Sequence, residues 1–172
     1  MAISLADQYY IKALDDYPYN LEEAIENIHY ALSYDADHTG ALFLMGSFCM
    51  EHLQDYPQAE SYFLNALAVN PNVMKTNCKY AELLMMIGEY EKSEKLIAYT
   101  KTIKGCDLGY LFYIEGFLHE YQQQFEWSVQ CFQKAGMHSY NSDFMELTEK
   151  CIERVKTKIK QIQPVIWSYN TG

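Results

Sequence analysis

The sequence lacks the short motifs by which common enzyme classes are read. It has no HExxH, no GxSxG, no glycine-rich phosphate loop and no nucleotide fingerprint. Its five histidines, at 29, 38, 52, 119 and 138, are scattered. His119 and Glu120 are adjacent, so they do not share a helix face. Asp35, Asp37 and His38 lie close together and could suggest a metal. Aspartate is also a favoured turn and N-cap residue, and the turn is the stronger reading. The sequence therefore predicts no enzyme, no cofactor and no metal site.

Positive charge is also scarce. One arginine and 12 lysines face 23 carboxylates, for a formal net charge of −10. That balance argues against nonspecific nucleic-acid binding, whose phosphates require cations. Five of the cations, Lys150, Arg154, Lys156, Lys158 and Lys160, fall in one run with a single anion, Glu153. The run is thus +4 and the rest of the chain −14. It reads as a solvated helix face or, functionally, as a surface for an acidic partner or a second copy. The usage of one arginine against 12 lysines hints at an AT-rich genome.

The five cysteines, at 49, 78, 106, 131 and 151, form no CxxC and no Cys/His pair at zinc spacing. Their odd number and mostly apolar neighbours predict buried free thiols in a reducing compartment. The opening MAISLADQYY has no basic region followed by an apolar run, so no signal peptide is expected. No stretch approaches the ~20 apolar residues of a membrane helix. The expectation is a soluble, cytoplasmic protein with no membrane partner.

What the chain does have is apolar content of 49%, 16 tyrosines and a repeat. Small residues recur at Ala24, Ala59, Ser93 and Ser128, in steps of 35, 34 and 35. Four places on stand Ile28, Phe63, Ile97 and Phe132, and three further Ala31, Ala66, Thr100 and Ala135. This i, i+4, i+7 spacing puts small, large and small side chains on one helical face. Small residues let neighbouring helices approach, and the large one fills the gap between hairpins. An aromatic precedes three of these helices, at Tyr56, Tyr90 and Phe125. First helices are predicted from about Leu42, Met74 and Gly109, with a small residue at the close contact: Gly46, Ala81 and Gly116. Glycine inside a helix costs ~1 kcal/mol relative to alanine, so Gly46 and Gly116 imply tight packing. A period near 34 predicts stacked helix–turn–helix units.

These residues resemble the tetratricopeptide repeat. Copy two matches through Gly46, Tyr56, Ala59, Phe63, Ala66 and Pro71. Copy four matches through Phe112, Gly116, Phe125, Ser128, Phe132 and Ala135. Copy three is more degenerate, matching through Ala81, Gly88, Tyr90, Ser93 and Ile97. Copy one matches through Ala24, Ile28 and Ala31, with its first helix expected at about Ile3 to Asp16. The family's first-helix tryptophan is absent everywhere. The resemblance implies an all-α fold, an α-solenoid of four repeats over residues 1–141 (about 4–38, 39–73, 74–108 and 109–141). A capping helix is expected over 142–163, because a solenoid must cover its last apolar face. Pro164 is expected to end it, leaving a tail over 164–172.

The resemblance also implies a concave groove lined by the first helices. Its inward residues would be Phe43, Ser47 and Met50 in copy two, and Lys75, Cys78, Lys79, Glu82 and Met86 in copy three. In copy four they would be Tyr110, Tyr113, Phe117 and Tyr121. Such a groove suits a peptide or helix with apolar anchors. The trio Tyr110, Tyr113 and Phe117 equally fits an internal packing stripe. Lys75 and Lys79, one turn apart, are either carboxylate receivers or simply solvated. A subclass of the family clamps chaperone tails with Lys, Asn and Arg from three repeats. The Asn partners are missing here, so no such clamp is expected.

Two functions fit this reading. One is a noncatalytic adaptor or scaffold that holds a protein or peptide partner. The other is a small acidic chaperone for a secreted or aggregation-prone client. The likeness in size and charge to the small acidic repeat chaperones of bacterial secretion systems makes a bacterial source the expectation. The apolar tail residues Val165, Ile166 and Trp167 are expected to be covered, either by the capping helix or in the groove of a second molecule. The latter would make a homodimer through the C-terminal tail.

Overall fold

A computed structural model describes the backbone of residues 3–169 and the side chains of residues 3–162. The described residues form nine α-helices and no strand. The chain divides into two units, residues 1–83 and 84–172, with the boundary inside the fifth helix.

The first unit begins with α1 (Leu5–Asp16) and α2 (Leu21–Tyr34). Ser4 and Asp7 close a capping box at the start of α1. Ala24, Ile28 and Ala31 form the buried stripe of α2. Next come α3 (Thr39–Phe48), a π-helical turn (Cys49–Leu53) and α4 (Tyr56–Val69). Every residue from Ala41 to Met50 is buried, so α3 is enclosed on all sides. One of its neighbours is α4, whose stripe is Ala59, Phe63 and Ala66. A Cβ added to Gly46 would lie 2.7 Å from the Phe63 ring, so only glycine fits between the two helices. Most of α5 (Met74–Met86) completes this unit.

The second unit holds the end of α5, then α6 (Tyr90–Thr100), α7 (Leu108–Tyr121), α8 (Phe125–Met137) and α9 (Ser142–Tyr169). The contact of Gly46 with Phe63 returns here. A Cβ on Gly116 would lie 2.7 Å from the Phe132 ring. Ser128 takes the place of the first alanine and donates its hydroxyl to the Gly116 carbonyl at 2.8 Å. The polar atom is thereby satisfied inside the core. Cys151 and Val155 of α9 pack on Phe132.

First helices begin at Thr39, Met74 and Leu108, and α9 begins at Ser142, so it keeps the period of the repeat. It departs from the sequence reading at its far end. Pro164 is expected to stop it, yet the helix runs on to Tyr169. Proline lacks an N–H and crowds the carbonyl four residues back, but its fixed φ of about −65° is itself helical. The stretch 164–169 is therefore part of α9 and not a separate tail. The basic run then lies in the middle of the helix, beyond reach of the dipole at its end. The side chains of Val165, Ile166 and Trp167 lie outside the described residues, and so does the expected tail contact.

Three hairpin turns share a backbone device. Gln54, Gly88 and Gln123 each have positive φ (54°, 82° and 60°) and each stand five residues before the repeat's small residue. After Gly88 and Gln123 the next N–H reaches back five residues, Glu89 to Leu84 and Gln124 to His119, both at 2.8 Å. This is the Schellman closure of a helix. In copy two the π turn intervenes, and Asp55 donates instead to Cys49 at 2.9 Å.

Candidate functional site

The residues expected to line the groove fall into two groups, one in each unit. In the first unit Phe43, Ser47 and Met50 are buried. Ser47 turns its hydroxyl back to the Phe43 carbonyl at 3.0 Å. The Phe43 ring lies 6.2 Å from that of Phe63, and the exposed Lys75 ammonium sits 4.3 Å above it. The lysine therefore covers the ring through a cation–π contact. Lys79 is held between Glu51 at 2.7 Å and Glu82 at 3.1 Å. Glu51 also accepts the Tyr17 hydroxyl, one repeat earlier in sequence. Burial alone would raise the Glu51 carboxyl. The bonds from Lys79 and Tyr17 outweigh it and hold the carboxyl below its ordinary value. Lys79 is raised, since burial is outweighed by its two carboxylates.

In the second unit Met86 and Tyr121 are 45% and 49% exposed. Tyr110, Tyr113 and Phe117 are half-buried. The Tyr113 ring lies 4.9 Å from Phe117, 5.8 Å from Phe132 and 5.4 Å from Phe144. Phe117 lies edge-on to Phe132 at 5.2 Å. Both aromatics thus also pack between α7, α8 and α9.

The outward end of this group is a charged cavity of about 290 Å³, lined by Phe117, Glu120, Tyr121, Arg154 and Lys158. Arg154 grips Glu120 with both arms, Nε to Oε1 at 3.1 Å and Nη2 to Oε2 at 2.6 Å. Lys158 donates to Oε1 at 2.7 Å. The guanidinium also lies 5.2 Å from the Phe117 ring centre. Burial would raise the Glu120 carboxyl, but the two cations hold it below its ordinary value of 4.5. Arg154 is raised, first by its bond to Glu120.

Glu120, Arg154 and Lys158 are not among the residues that the sequence places at the site. A signal is present all the same. Glu120 precedes the expected Tyr121, and Arg154 follows Glu120 by 34 residues, one repeat. The basic run is not merely solvated: Arg154 and Lys158 share Glu120, Lys150 pairs with Glu146 and Lys156 with Glu153.

The Asp35–His38 cluster is a turn and a cap. Asp35 accepts from the Asp37 N–H at 3.1 Å, and His38 Nδ1 accepts from the Ala41 N–H at 3.0 Å. Four of the five cysteines are buried and all are free. Burial and the neighbouring Glu115 push the Cys131 thiol up to about 12. Among the described residues no helix is long and apolar enough to cross a membrane.

No protein-family model and no curated protein matches the sequence. Solved structures do match the fold. MamA of Desulfovibrio magneticus RS-1, from its residue 41 to its end, is 17% identical with a TM-score of 0.64. The match covers 94% of this chain and 99% of that one. A thermophilic tetratricopeptide-repeat protein of Thermus thermophilus is 14% identical with a TM-score of 0.72, over 86% and 81% of the two chains. Another MamA structure is 10% identical with a TM-score of 0.62, over 91% and 93%. The chain therefore has an all-α repeat fold of the tetratricopeptide type.

Proposed function

We propose that the protein is a noncatalytic interaction module that holds a peptide or helix of a protein partner on the inner faces of its first helices. The observation that carries this is the α7–α9 cavity. Phe117 and Tyr121 give it an aromatic wall, and Arg154 and Lys158 give it directional donors. Apolar anchors beside a few placed polar groups are what a peptide site requires. Phe43, Ser47 and Met50 support the first unit from within, and Lys75, Lys79 and Glu82 present its polar edge. An adaptor's partner is soluble alone, whereas a chaperone's client is soluble only when co-expressed with this protein, and that comparison separates the two roles.

The test uses partners captured from the native host. Tyr121→Ala removes an exposed aromatic, so the fold is expected to survive it. Capture should fall with Tyr121→Ala and persist with Trp127→Ala, an exposed aromatic on α8. Equal capture by both variants would contradict the inner-face assignment.

A further inference from the structure

The α7–α9 cavity carries more positive charge than its own residues neutralise. Two cations meet one carboxylate, leaving a net +1. The Glu120 side chain is 8% exposed, while Arg154 and Lys158 are 44% and 45% exposed. A guanidinium offers five N–H donors and an ammonium three. Three of these meet Glu120. Arg154 also lies beside Cys151, but no second carboxylate among the described residues pairs with either cation. Glu120 holds both cations, and the more exposed Arg154 and Lys158 line the cavity with donors to spare. The aromatic wall of Phe117 and Tyr121 stands next to them.

We infer that this cavity selects an acidic peptide segment. An Asp or Glu side chain of the partner is received by Arg154 and Lys158, and a neighbouring apolar residue rests on Phe117 and Tyr121. The inference rests on the interaction-module reading and adds the class of partner. One further carboxylate brings the site to neutrality, and bidentate pairing suits arginine to that group. A polyanion is disfavoured, because the rest of the chain carries −14. A short acidic segment feels mainly the local field, since screening cuts off interactions beyond ~8–10 Å at moderate salt.

The test is a fluorescence-anisotropy titration of the full chain with short labelled peptides. Each is acetylated and amidated, so that no chain-end carboxylate is present. One peptide alternates Phe or Leu with Asp or Glu, a second replaces the acids with Asn or Gln, and a third with Lys. The acidic peptide should bind about fivefold more tightly than its amide counterpart at low salt, with the preference lost at high salt. Lys158→Gln keeps Glu120 paired with Arg154 and should remove most of the preference. Glu120→Gln raises the site charge to +2 and should increase the preference. Lys158→Arg should preserve it. A triad that only stabilises the fold would shift all three peptides alike. Circular dichroism of each variant shows that the fold is intact.

Equal binding of the acidic and amide peptides would overturn the inference and leave the interaction-module reading standing. No binding by any of the three would overturn both. If the amide peptide with a free C-terminus binds as tightly as the acidic one, recognition belongs to a chain end, and the side-chain assignment falls.

Discussion

The two units use the same electrostatic device with the signs exchanged. In the first, one lysine, Lys79, lies between two glutamates, Glu51 and Glu82. In the second, one glutamate, Glu120, lies between two cations, Arg154 and Lys158. The local sums are −1 and +1. The contrast extends to the whole chain. Residues 1–83 hold 12 carboxylates and three cations, net −9, while residues 84–172 hold 11 and 10, net −1. The packing beneath the two triads is nearly identical, with a glycine of the first helix against a phenylalanine of the second. One repeat architecture thus carries opposite surface chemistry. The fold leaves these triad positions free to carry different chemistry.

Substitutions in the shared core probe the common part of this comparison. Phe63→Ala and Phe132→Ala should each cost about 3–5 kcal/mol in chemical denaturation, since both rings are fully buried. A large difference between them would break the structural equivalence of the two contacts. Gly46→Ala and Gly116→Ala should each cost about 1–3 kcal/mol through overpacking, because the added methyl meets a ring at 2.7 Å. A stabilising result at either position would mean that the rings move aside.

Both triads hold a carboxyl below its ordinary value, Glu51 in the first and Glu120 in the second, so both should weaken in acid. The Glu120 carboxyl lies below its ordinary value of 4.5 in the folded protein. Its contribution to stability is therefore fully present above about pH 4.5 and is lost as pH falls through the lower folded value. Glu120→Gln should be less stable than the parent at neutral pH, and the difference should shrink below that range. A constant difference across the titration would show that ionisation of Glu120 contributes nothing.

The smallest effect concerns the turns. Gln54 and Gln123 hold positive φ, where Gly88 stands in copy three. Gln54→Gly and Gln123→Gly should stabilise by up to about 1 kcal/mol, because glycine avoids the Cβ clash of that region. Gly88→Gln should destabilise by a similar amount. Thermal melts of the three variants check the sign.

Much of this architecture is legible in the sequence, and for a physical reason. The small–large–small stripe and the two interior glycines are steric requirements of helices packed in close contact. They recur because the contact recurs. Other features are legible only in three dimensions. Glutamine at a left-handed position gives no sequence signal, unlike Gly88. The π turn after α3 changes the hydrogen-bond ladder without changing composition. Pro164 reads as a stop because its missing donor is visible in sequence, whereas the tolerance of its φ is not. Tyr113 and Phe117 read equally as groove or core, and their contacts show them packed between helices while half exposed. The Glu120 triad joins residues 34 and 38 apart. It becomes apparent only when α9 is placed in the repeat as a first helix, where the expectation of a plain cap hides it.

The α7–α9 cavity is the proposed seat of the partner. The most direct measurement is site-specific photo-crosslinking in the native host. A photoreactive residue at Tyr121, in the cavity lining, is compared with one at Gln130, exposed on α8. A discrete crosslinked partner is expected from position 121 and none from position 130. The same adduct from both positions, or from 130 alone, would contradict the proposal.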